Sequence, residues 1–194
     1  CIRLDGRGII VLGVNMLNVG AANDAICAGI ITDGIACKSG GLFKAGTGML
    51  TLSNGTSYTG ATIINGGTLA LSGTGSIAAS SGREITAGTF NIAAATGGVS
   101  LKSLRGAGSV VLGDNNLNVT AGNYTGVISG KGGLTISGDG TNVFTLGGVN
   151  TYEGVTTING GTLALAQENA IAQSAGVNLA LGGLTATESQ SFKN

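Results

Sequence analysis

The chain contains no histidine, no proline and no tryptophan. Without histidine, the usual nucleophile–base arrangements and the common zinc sites lose their central member. Neither a G-x-S-x-G nucleophile elbow nor a phosphate-binding loop is present to take over. Aromatic residues make up 4% and charged residues 9% of the chain, so something other than a bulky aromatic core must hold it together. Nine Lys and Arg balance nine Asp and Glu, which removes the basic footprint of a nucleic-acid binder. No apolar run approaches the roughly 20 residues that cross a bilayer as a helix, and no basic stretch leads into a signal-like segment.

What the chain does have is glycine, 38 of 194 residues, interspersed with Val, Ile, Leu and Thr. The glycines lack the every-third spacing of collagen, and 42% hydrophobic residues with so few charges argue against a disordered linker. The organising feature is a repeat. Residues 62–71 and 156–165 agree at nine of ten positions, the exception being Ile63 against Thr157. Each copy reads as two short strands around a corner, Asn65-Gly66-Gly67 in the first and Asn159-Gly160-Gly161 in the second, because glycine and asparagine tolerate the backbone a tight corner needs.

The match extends over most of the chain. Residues 8–19 resemble 108–119 at an offset of 100, 29–31 resemble 126–128 at 97, 40–42 resemble 132–134 at 92, and 58–71 with 77–80 resemble 152–165 with 171–174 at 94. This predicts a single segment, 1–194, made of two units, about 4–103 and 104–194. The register drifts only where one copy has a longer loop, and the largest extra piece, 32–39, is expected on a surface corner carrying Cys37.

Within each unit, short aliphatic segments recur every few to a dozen residues. Period-two alternation in 162–165 and 143–146 sends Leu163, Leu165, Phe144 and Leu146 to one face, and by the repeat Leu69 and Leu71 as well. That face is the expected core. Short strands with glycine corners fit a sandwich, a barrel or a parallel β-helix, and the internal repeat selects the last, since coils that cannot bury their apolar face alone do so by stacking. At roughly 20 to 25 residues per coil, the expectation is an all-β parallel β-helix of about eight or nine coils. The best helix candidate, 165–173, amounts to one short turn.

The run 41–60 leading into 62–71, and the run 146–154 containing Asn150-Thr151-Tyr152-Glu153-Gly154 before 156–165, resemble the passenger-associated repeat of bacterial autotransporters. The resemblance implies a right-handed parallel β-helix in the surface-exposed or secreted passenger of a Gram-negative bacterium, used as a stalk and associated with passenger export and folding. Lys44 keeps a lysine of the family pattern where the second copy has Ile136, cysteines are uncommon in such passengers, and a translocator barrel is expected outside this chain.

Candidate sites are few. Cys27 and Cys37 are expected on one peripheral loop, close enough to pair across it in a disulfide that stabilises by about 3 kcal/mol, leaving Cys1 as a lipidated N-terminus, an intermolecular link or a fragment start. Tyr58 and Tyr152 admit a sugar-binding reading but recur at one place in the unit, which fits packing over a corner. Asn65 and Asn159 suit ladders between coils. Asp139 sits in a lone fragment of a calcium-binding turn, and the scattered carboxylates would serve a glycosidase only if stacking paired them. No cofactor or metal is expected. The reading is therefore a noncatalytic structural stalk, with an adhesin or self-assembling extracellular fibre as the alternative and a carbohydrate-active enzyme behind both. Neither end reads as a polar cap, so flanking repeats or like chains stacked end to end are the expected partners, along with a host or neighbouring-cell surface.

Overall fold

Short strands of two to eight residues, rich in Val, Ile, Leu and Thr and separated by glycine-bearing corners, build the molecule. The computed structural model describes residues 6–20, 22–35 and 39–192, and among these there are 21 strands and no helix. Every strand pairing is parallel. Leu42, Thr62, Arg83 and Leu104 are successive partners in one column. Leu50, Leu69, Phe90, Val110 and Ile128 are successive partners in another. Parallel partners some 20 residues apart are one coil lying on the next, and the result is a parallel β-helix of about eight turns.

One sheet has seven strands, from Ala25–Cys27 to Thr151–Tyr152. The other runs from Met16–Val19 to Val177–Leu179, and its long strand Leu117–Tyr124 pairs with both Leu134–Ser137 and Val143–Leu146. A two-stranded sheet joins Ile9–Val11 to Ile30–Thr32. Alternate residues face in, and the column from Leu50 to Ile128 is wholly buried. Each such side chain contributes about 1.5–3 kcal/mol by leaving water. Leu69, Leu71, Leu163 and Leu165 belong to this core.

The two units share pairing as well as sequence. Ile9 opposite Ile30 recurs as Ser109 opposite Val127, Leu17 opposite Leu42 as Leu117 opposite Leu134, and Leu42 opposite Thr62 as Leu134 opposite Thr156. At the repeated corner the second glycine adopts the left-handed conformation, φ 59° at Gly67 and 71° at Gly161. Asn65 and Asn159 are exposed, and neither has positive φ.

Two expectations change. Cys27 is not on a peripheral loop: it ends the strand Ala25–Cys27 with its side chain turned into the core, because the alternation of that strand buries Ala25 and Cys27 and exposes Ile26. Its expected disulfide to Cys37, like Cys1, lies outside the described residues. Asparagine ladders do not form, since the strand registers place Ala45 and Thr86 beside Asn65, and Asn159 is the extra residue of a bulge between Ile158 and Gly160. The segment 166–173 is a turn, with Asn169 at φ 53° and Ala170 and Ile171 buried beneath it.

Candidate functional site

Polar side chains inside a solenoid cost energy unless they find partners. This chain solves the problem the same way twice. Thr62 faces inward where a leucine stands one coil earlier, and its Oγ1 donates to Ser80 Oγ at 3.0 Å. Ser80 Oγ in turn donates to Gly60 O at 2.7 Å, with Gly82 O at 3.3 Å beyond it. Since the one Thr62 hydroxyl proton is engaged, Tyr58 Oη must be the donor in its 2.7 Å bond to Thr62 Oγ1. In the second unit Tyr152 donates to Thr156 at 2.7 Å, Thr156 to Ser174 at 2.9 Å, and Ser174 to Gly154 O at 2.8 Å. All six residues are buried. The relay fastens adjacent coils through one seam.

Burial pushes the Tyr58 hydroxyl up to about 12, with Thr62 and Arg83 pulling slightly the other way. Burial also raises Tyr152, and it raises Tyr124, which donates to Gly108 O at 2.7 Å. Both tyrosines of the repeat therefore lie inside the seam with their hydroxyls engaged, closed off from any sugar.

The units differ beside the relay. Arg83 points inward where the second unit has Val177. Its Nη1 donates to Ser80 O at 3.0 Å, but Nε and Nη2 are buried with no hydrogen-bond partner among the described residues. Burial draws the guanidinium down to about 10, so it remains a cation at neutral pH. Asp33 is also buried: Oδ2 accepts from Thr59 N at 2.8 Å and Thr59 Oγ1 at 2.6 Å, while Oδ1 has no partner. In the second unit Gly130 O accepts from Glu153 N in the same place.

The corners differ too. Lys44 Nζ donates to Ala45 O, Gly46 O and Gly66 O at 2.8 to 3.2 Å, so one ammonium ties two coils. Burial lowers its pKa, partly opposed by Asp24. The second unit has Ile136 there and a corner two residues longer, which closes on itself: Asp139 Oδ1 accepts from the Thr141 N–H and hydroxyl and from Asn142. Those bonds, Thr141 first, hold the Asp139 carboxyl below its ordinary value. Asp139 is thus an internally bonded turn, and among the described residues no group of three His, Cys, Asp or Glu side chains is placed to hold a metal ion. The segment 146–154 adds a third device: Asn150, buried, accepts from Ile128 N and donates to Gly148 O and Ala170 O, all at 2.9 Å.

On the outer surface, Ala61, Ile63, Ser81, Glu84, Ser103 and Arg105 line a groove of about 350 Å³. Glu84 and Arg105 stand opposite each other in register. The lining holds one carboxylate, whereas glycoside hydrolysis uses two. The relay serines and Arg83 escaped sequence reasoning, although Ser80 and Ser174 sit in the matched segments 77–80 and 171–174. A hydroxyl kept at the same place in both units was the available signal.

Residues 42–71 and 139–165 match the family model described as the passenger-associated-transport repeat. The chain is 33% identical over 175 residues to the protein named Adhesin BmaC autotransporter of Brucella suis biovar 1 (strain 1330), an alignment that covers 81% of this chain and 5% of that protein. The chain therefore spans a small part of the length of the curated relative it matches. No solved structure matches it.

Proposed function

The chain carries autotransporter passenger repeats, and from that premise we propose that it is a noncatalytic stalk segment which holds a passenger away from the cell and supports its export and folding. Such a passenger is displayed on, or secreted from, a Gram-negative bacterium. The duplicated relay carries the reading: the hydroxyls that chemistry or sugar binding would use are turned inward, where they join coil to coil. Asp139 is held by bonds within its own corner, and Asp33 is buried with one oxygen bonded to Thr59. The experiment replaces this segment, within its parent passenger, by an unrelated β-helix of equal coil number and places an epitope tag on the far side. A stalk leaves the tag exposed on intact cells and leaves adhesion unchanged. Loss of adhesion with normal display would discard the stalk reading.

That second outcome is the one an adhesin predicts. Two observations favour it: the relative is named an adhesin, and Ile9, Val11 and Ile30 form an exposed apolar strip on the outer face of the first coils. Binding of the purified segment to host cells, lost on Ile30→Ser, separates this reading from the stalk.

A further inference from the structure

The groove on the outer surface crosses three consecutive coils inside the stack. Its strands Thr62–Ile64, Arg83–Ile85 and Val99–Gly106 are each paired on both sides, so no backbone edge is free there to take up an added strand. Recognition at this place falls to side chains. Ile63, Glu84 and Arg105 are successive partners in register and turn outward, since Thr62, Arg83 and Leu104 before them are buried. Ser81 and Ser103 stand beside them. Gly82 keeps the groove open, for a β-carbon on it would meet only Ser103 Cβ, at 3.7 Å.

Nothing in the chain uses these polar groups. Among the described residues the side chains of Ser81, Ser103, Glu84 and Arg105 make no hydrogen bond or ion pair, although Glu84 and Arg105 are direct neighbours. The second unit shows that the fold does not need them. At the 94-residue offset Ile63, Ser81, Arg83 and Glu84 become Thr157, Ala175, Val177 and Asn178, while Thr156 pairs with Val177 as Thr62 pairs with Arg83. Ile63 against Thr157 is the one mismatch between 62–71 and 156–165, and it lies in this groove.

Charge selects the ligand. The three strands carry Arg83, Lys102 and Arg105 against Glu84, in a chain that is neutral as a whole. Lys102 Nζ donates to Ala79 O and Arg83 is turned into the core, so both add positive field while Arg105 is free to bond. A guanidinium is a planar fork that fits a carboxylate or a sulfate, and two serine hydroxyls with a carboxylate beside it suit the hydroxyls of a sugar ring.

We propose that this groove binds an acidic sugar residue of a glycan, its carboxylate or sulfate on Arg105, its hydroxyls bonded to Glu84, Ser81 and Ser103, and its apolar ring face against Ile63. The volume of about 350 Å³ suits a small ligand. With one carboxylate in the lining, the site binds without cleaving. It names a ligand class for the adhesin reading, on which its biological role rests.

The test titrates the purified chain calorimetrically with a hyaluronan tetrasaccharide, a heparin tetrasaccharide, neutral chitotetraose and a tetraglutamate peptide. At least one acidic sugar should bind, the preference between them telling carboxylate from sulfate, and the neutral sugar and the peptide should not. Arg105→Ala and Gly82→Val should each weaken binding about tenfold or more, the first by removing a charged hydrogen-bond donor and the second by filling the groove. Both should keep the urea midpoint, because Arg105 has no partner to lose and Gly82 is outside the left-handed region with room for a side chain. Failure of both acidic sugars to bind, equal binding of chitotetraose or tetraglutamate, or undiminished binding by Arg105→Ala would each overturn the proposal. Host-cell binding without sugar binding would discard this site alone, whereas sugar binding without host-cell binding would discard the adhesin reading and keep the site.

Discussion

Thr62 donates its single hydroxyl proton to Ser80, and this one bond sets the direction of the whole buried relay in the first unit. Thr62→Val keeps the shape and removes the hydroxyl, leaving Tyr58 Oη without an acceptor and one bond to Ser80 unmade. A buried donor without a partner costs about 1–3 kcal/mol. The expected loss in urea unfolding is of that size, and Thr156→Val should lose as much in the second unit. The two sites share no partner, so the double variant should lose the sum within about 0.5 kcal/mol. A neutral Thr62→Val would show that the seam contributes nothing.

Arg83 gives a prediction of opposite sign. It is a buried cation with two unpartnered nitrogens, in a place where the second unit folds with Val177. Replacing an imperfectly compensated buried charge by an apolar side chain is often stabilising by about 1–4 kcal/mol. Arg83→Val should therefore raise the urea midpoint without changing the slope, and Arg83→Lys should not. A fall with Arg83→Val would mean that the bond to Ser80 O outweighs the two orphaned nitrogens.

The alkaline limit of stability follows from the tyrosines. An unfolded phenol ionises near 10, and folded Tyr58 only near 12. Between those values the unfolded chain releases a proton that the folded chain retains, so stability falls as pH rises, and below about pH 9 this contribution is fully present. Tyr124 and Tyr152 shift in the same direction, and the chain has no other tyrosine. The urea midpoint should be flat from pH 7 to about 9.5 and fall above 10, with phenolate absorbance rising only as the strands melt. Phenolate signal at pH 11 in a chain with native circular dichroism would contradict the buried relay.

The strand pattern and the stacking were legible because they rest on periodicity: alternation placed Leu163 and Leu165 inward, and the 94-residue repeat implied one coil upon another. The interior polar contacts were not legible. Thr62 and Thr68 look alike in sequence, yet only Thr62 faces its own Tyr58 across the seam, and that depends on how the coil closes in three dimensions. Cys27 misled for a related reason. Its neighbour in the longer loop, Cys37, suggested a surface pair, while period-two alternation in Ala25–Cys27 had already turned its side chain inward.

The corner glycines are adjacent in sequence but carry unequal burdens, which yields the last prediction. Gly67 has φ 59°, and a β-carbon on it would lie 2.4 Å from Gly48 O and 2.8 Å from Lys44 Nζ, the ammonium that ties the two coils. Gly66 has no positive φ, and its nearest neighbour, Gly46 O, is 3.1 Å from the built atom. An L residue in the left-handed region costs about 1–2 kcal/mol before any clash. Gly67→Ala should thus destabilise by more than that, since backbone on one side and the Lys44 cage on the other must both move, whereas Gly66→Ala should cost less than half as much. Gly161, with φ 71° and Asn142 O at 2.7 Å from a built β-carbon, faces the same backbone obstacle without the lysine. Gly161→Ala should therefore fall between the other two in urea unfolding. If Gly66→Ala proved the most damaging of the three, the left-handed corner would have been assigned to the wrong residue.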